Sequence, residues 1–171
     1  MDIKERIQCK ENILRCARLC GGITGKYAAR LCSDPSLLKE MMEDGQIRKI
    51  PVEVRMSDKT KKKIFFYEEV VKTKPIQFPN MKEDDAVKIS LLNRCYCTYA
   101  PSATSWFNQT DINRFAQAGG LVGKLVPNML FYEGDKMIAV YVLKSYMRLK
   151  DDEKTSIEAN LGVDTVLEYT F

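Results

Sequence analysis

Residues 33–71 read SDPSLLKEMMEDGQIRKIPVEVRMSDKTKKKIFFYEEVV. Asp34-Pro35 sets a side-chain acceptor before a proline whose fixed φ suits the first helical turn. Leu37, Leu38, Met41 and Met42 then recur at helical spacing, and Asp44-Gly45 supplies a stop that tolerates positive φ. The spacing predicts a helix from Pro35 to Asp44. Two β-rich runs follow, the first with Ile47, Ile50, Val52 and Val54, the second with Ile64, Phe65, Phe66, Tyr67, Val70 and Val71. Between them lies a polar turn, residues 57–63, with four lysines: Lys59, Lys61, Lys62 and Lys63. A short helix, a glycine and a hairpin with a basic tip outline a winged helix.

Upstream, residues 2–20 read as one helix with Ile3, Ile7, Leu14 and Ala17 on its inward face and Ile13 and Cys20 beside them. Gly21-Gly22 stops it. Thr24 caps a second helix, Gly25 to Cys32, with Tyr27, Ala28 and Leu31 facing inward. Charge divides unevenly: residues 1–74 hold 17 Lys and Arg against 11 Asp and Glu, whereas residues 75–171 hold 10 against 12. A basic first half calls for an anionic partner, and nucleic acid is the commonest. A helix-turn-helix reader would put its third helix in the major groove. Here that helix shows Ser36, Lys39, Glu40 and Glu43 outward, and the two acids repel phosphate. The expected DNA contacts are therefore spread over Lys26, Arg30, Lys39, Arg48, Lys49, Arg55, Lys59, Lys61, Lys62 and Lys63. Ammonium groups are point charges suited to phosphate rather than base reading. The acidic third helix leaves a second class open, a protein-interaction module with a basic partner.

The 171 residues are 45% hydrophobic and 29% charged, as in an ordinary globular protein, and allow one large domain or two small ones. No apolar run approaches the ~20 residues of a membrane span, and the first residues lack a secretory core, so a cytoplasmic location without a membrane partner is expected. There is no histidine, which excludes His-dependent catalysis. The six cysteines include no Cys-x-x-Cys pair. A zinc site on Cys16, Cys20, Cys32 and one more stands against buried reduced thiols, the reading we adopt, and no metal or cofactor is expected. Gly22-Ile23-Thr24-Gly25-Lys26 has Tyr27 where a phosphate loop needs Ser or Thr.

Residues 75–80, with two prolines, read as an extended linker between a first domain, 1–74, and a second, 81–171. In the second, a helix is predicted from Asp84 to Thr98, with Val87, Leu91, Leu92 and Cys95 inward, and another from Trp106 to Gly119-Gly120. Strands 121–132 and 136–143 should pair through the turn Glu133-Gly134-Asp135. A helix over 144–161 and a strand over 163–171, with Val166 and Leu167 inside, complete the order. A strand–helix–strand ending favours one parallel pair. The fold class is thus α+β: an N-terminal winged helix-turn-helix followed by a small α/β domain with a mixed sheet. Trp106 and Phe107 read as core aromatics rather than base-stacking platforms.

The run from Val126-Pro127-Asn128 to Lys144 resembles the central hairpin of restriction-endonuclease-like domains. In those domains a proline–aspartate opens one strand, and an acid, any residue and a lysine close the next, the carboxylates holding a divalent metal. Asn128 stands in place of the aspartate and Val142 in place of the acid before Lys144. Neutral side chains do not hold Mg²⁺. A winged helix followed by such a domain resembles the replication-relaxation family and related accessory proteins of plasmids and conjugative elements. The resemblance implies a non-enzymatic DNA-binding accessory or regulatory protein acting in replication, transfer or transcription of a mobile element. Its implied partners are double-stranded DNA and other proteins of a replication or transfer complex, with self-association left open.

Overall fold

A computed structural model describes residues 2–55, 60–70 and 82–171. The chain forms two compact units, residues 1–97 and 98–171, each with its own small sheet, and is of mixed α+β class. No helix among the described residues is long and apolar enough to cross a membrane.

The first unit opens with α1 (Ile3–Cys20), capped by Asp2, whose carboxylate accepts from Glu5 N at 2.7 Å. Its buried residues are Ile13, Cys16, Ala17 and Cys20. The expected inward face is therefore corrected in its first half: Ile3 is 79% and Ile7 53% exposed. That half of α1 instead turns Arg6 and Lys10 toward the acids of α3. Two-residue β1 (Ile23–Thr24), α2 (Gly25–Leu31) and α3 (Ser36–Glu43) follow. α3 starts at Ser36 with Pro35 in the cap position, one residue later than expected, and Asp34 accepts from Ser36 N at 2.9 Å and Ser36 Oγ at 2.7 Å. Gly45, at φ 67°, ends it: Gly45 N bonds Met42 O and Gln46 N bonds Met41 O, a closure that needs left-handed backbone. Leu37 and Met41 are fully buried.

Strands β2 (Ile47–Arg55) and β3 (Lys61–Glu69) pair antiparallel from Ile47↔Glu69 to Arg55↔Lys61. β1 adds to the other edge of β3 at Phe66 and Tyr67, giving the order β1-β3-β2. Side chains alternate across the hairpin. One face carries Val52 and Phe66, which cluster with Ala86 and Ile89 of α4 (Glu83–Tyr99). Asn93 of α4, wholly buried, accepts from Thr24 N at 3.1 Å and donates to Gly22 O at 2.8 Å. These contacts count most of α4 with the first unit, whereas the sequence reading began a second domain at residue 81. The proposed linker, 75–80, lies outside the described residues.

The second unit contains β4 (Ala103–Trp106), α5 (Gln109–Ala118), β5 (Met129–Glu133), β6 (Lys136–Leu143), α6 (Asp151–Leu161) and β7 (Thr165–Thr170). The sheet order is β4-β5-β6-β7, with β4, β5 and β6 antiparallel and β7 parallel to β6. Ile112 and Ala116 of α5 and Ile157 of α6 pack with Leu130, Ala139 and Tyr141 of the strands. The expected hairpin forms, with Glu133↔Lys136 closing it. Its first strand is shorter than the predicted 121–132, because a 3-10 turn occupies 123–125 and Pro127 precedes the pairing. The predicted helix 144–161 starts only at Asp151. Ser145 N is drawn to Phe171 O at 2.9 Å, and the Glu153 carboxylate accepts from Lys150 N at 2.8 Å, which caps the helix there. Residues 103–106 are a strand, and α5 begins at Gln109 behind its Asn108 cap, not at Trp106.

Candidate nucleic-acid interface

Eight of the ten predicted cations can be followed to their surroundings. In α1, whose cations the sequence reading left out, Arg6, Lys10 and Arg18 are spent internally. Arg6 pairs with Asp34 at 2.5 Å and with Glu40, and Lys10 pairs with Glu40 and, at 3.4 Å, with Asp44. Arg18 makes a two-pronged contact with Glu69, Nε at 2.8 Å and Nη2 at 2.6 Å. Hydrogen bonds from Arg6 and then Lys10 hold the Glu40 carboxyl below its ordinary range, and those from Ser36 and then Arg6 do so for Asp34. The acids expected to make α3 repel phosphate are thus largely compensated, Glu43 also having Lys39 at 3.7 Å.

Three of the ten predicted contacts have acidic neighbours. Lys39 faces Glu43, Lys61 lies 3.3 Å from Glu53, and Arg48 pairs with the buried Glu68 directly across the hairpin. Lys59 and the Arg55 side chain lie outside the described residues. The other five form no ion pair among the described residues: Lys26, Arg30, Lys49, Lys62 and Lys63. All but Lys62 stand over aromatic rings. Lys26 Nζ stands 5.7 Å and the Arg30 guanidinium 5.3 Å from the centroid of Tyr27. Lys49 Nζ sits 3.8 Å and Lys63 Nζ 5.9 Å from that of Phe65.

The cause is local. β1 stops at Thr24 because Gly25 starts α2, so β3 loses its neighbour on that side beyond Phe66. The gap is an open cleft of about 420 Å³ between the start of α2 and the strand, and Lys26, Tyr27, Lys62, Lys63, Phe65 and Tyr67 lie along it. Among the described residues no Asp or Glu lines it. Sequence reasoning found the lysines but not their aromatic company, since Phe65 was read only as a strand residue. The phosphate-loop look-alike, residues 22–26, is strand β1 running into α2, with its backbone held by Asn93.

In the second unit, Asn128 Oδ1 accepts from Val142 N at 2.6 Å and Asn128 N donates to Val140 O at 2.8 Å. The amide braces the entry of β5 against the end of β6, at the two positions where the nuclease pattern requires carboxylates. Glu133 accepts from Ser102 Oγ at 2.6 Å in its turn. On β7, burial raises the Glu168 carboxyl, but hydrogen bonds from Arg148 Nε at 2.9 Å and Leu149 N at 3.0 Å outweigh it and leave the group below its ordinary range. Among the described residues no three His, Cys, Asp or Glu side chains gather as metal ligands. None of the six cysteines is in a disulfide, and burial pushes the Cys97 thiol up to about 11, leaving it protonated at neutral pH. Trp106 stacks on Phe131 at 4.5 Å, and Phe107 meets Phe115 edge-on at 5.4 Å. Comparison with known proteins finds no matching family model, no similar curated protein and no similar solved structure.

Proposed function

We propose that the first unit is a winged helix that binds duplex DNA, and that the chain is a non-enzymatic DNA-binding accessory or regulatory protein. The observation that carries this reading is the partition of charge. Arg6, Lys10 and Arg18 of α1 pair with acids of the fold, while Lys26 of α2 and Lys62 and Lys63 of β3 form no ion pair among the described residues and line one cleft. Such a cluster attracts a polyanion and contacts phosphates without reading bases. The association with plasmids or other mobile elements rests on the sequence resemblance alone. The protein-interaction alternative drew on the acidity of α3, and the pairing of Glu40 and Glu43 takes away much of that support.

We read the second unit as a nuclease-like core without its chemistry, because the strand positions that would carry carboxylates hold Asn128 and Val142, tied to each other. A mobility-shift titration of the full chain with a generic duplex tests the first claim. Changing Lys59, Lys61, Lys62 and Lys63 to alanine should weaken the complex. Absence of any complex at low salt would remove the reading.

A further inference from the structure

We infer that the cleft beside β3 is a seat for an unpaired nucleotide, so that the first unit also binds single-stranded nucleic acid. The inference rests on the nucleic-acid reading above and extends it to a different ligand state. Its starting point is Phe65, which is 39% exposed although it sits mid-strand. Phe65 and Tyr67 are two residues apart on one strand, so they project on the same side about 7 Å apart. Both line the cleft, with Lys26, Lys62 and Lys63 around them. Ring faces with flanking ammonium groups and no acid are what a sequence-tolerant single-strand site requires: bases stack and phosphates meet lysines.

A duplex does not use such rings, because its base faces are already stacked on each other. An extruded or single-stranded base can lie on Phe65. The ammonium of Lys49, now 3.8 Å from the centroid of that ring, then turns to an adjacent phosphate. The competing occupant is an acidic peptide adding as a strand, since the β3 edge from Lys61 to Phe65 pairs with no described strand on this side. Strand addition uses backbone edges and leaves ring faces idle. The exposed ring therefore favours the nucleotide.

The test is fluorescence anisotropy of the full chain with labelled oligothymidylate of about a dozen nucleotides, and in parallel with a duplex. Wild type should bind the strand. Phe65→Ala should weaken that binding at least about tenfold more than it weakens duplex binding, and Phe65→Tyr should restore it. Retained duplex affinity shows that the alanine variant is folded. If duplex binds but the strand does not, or if Phe65→Ala leaves strand affinity untouched, the inference falls and the duplex reading stands. If wild type binds neither, both fall. If the alanine variant loses duplex and strand together and Phe65→Tyr does not rescue the strand, the ring has only a structural role and the inference falls. Displacement of the strand by an alternating Glu–Thr peptide whose binding survives Phe65→Ala would assign the cleft to strand addition instead.

Discussion

Asn93 of α4 ties the Gly22–Thr24 turn into the first unit. Its amide satisfies one backbone donor and one acceptor of that turn, in full burial. Removing it strands both groups, so Asn93→Ala should cost about 2–4 kcal/mol, read as a lower midpoint in urea. A change under about 0.5 kcal/mol would show that water or a relaxed turn replaces it. Gly119 matters for space rather than torsion: a Cβ there would stand 2.8 Å from Asn160 O. Because that neighbour is backbone, Gly119→Ala should destabilise the second unit by about 1–3 kcal/mol in a thermal melt. Neither role was legible in the sequence. Asn93 lay within an ordinary helical pattern, and its partners are about 70 residues away. The acceptor role of Asp34 was legible because it acts on a near neighbour, Ser36.

Elements were readable where the signal was local and lost where tertiary partners set the limits. The hairpins 47–55/61–69 and 129–133/136–143 followed from alternation and turn residues. Strand β4 was missed because its four residues, Ala103 to Trp106, earn their state only by pairing with β5. The start of α6 was misplaced because the bond of Ser145 to Phe171 is not written in residues 144–150. The α1–α3 contact shows the same dependence, since Ile3 and Ile7 matched a core stripe while Arg6 and Lys10 made the contact. That contact predicts a pH dependence. Asp34, Glu40 and, through Arg18, Glu69 have carboxyls held below their ordinary range in the folded state. Their contribution is therefore complete above the unfolded carboxylate range, about 4, and fades as pH falls through the lower folded values. Urea midpoints at neutral and acid pH should differ less in Arg6→Ala than in wild type. An equal drop in both would show that the pairs contribute nothing.

At the scale of the whole chain, the proposed function rests on where cations lack acidic partners among the described residues and where the nuclease pattern lacks its carboxylates. The second unit should not cut DNA: incubated with supercoiled plasmid and Mg²⁺ or Mn²⁺, the protein should leave it intact. Nicking abolished by Asp84→Ala or Asp85→Ala would reveal an active site moved onto α4. The central claim is that the unpaired cations of α2 and β3 hold nucleic acid. Its most direct measurement is the affinity of the full chain for a duplex as a function of salt, for wild type and for Lys26→Ala/Lys62→Ala/Lys63→Ala. Each phosphate contact adds about 0.9 to the slope of log affinity against log salt, so the triple variant should bind more weakly with a slope shallower by about 2–3. An identical slope and affinity in the two proteins would contradict the account.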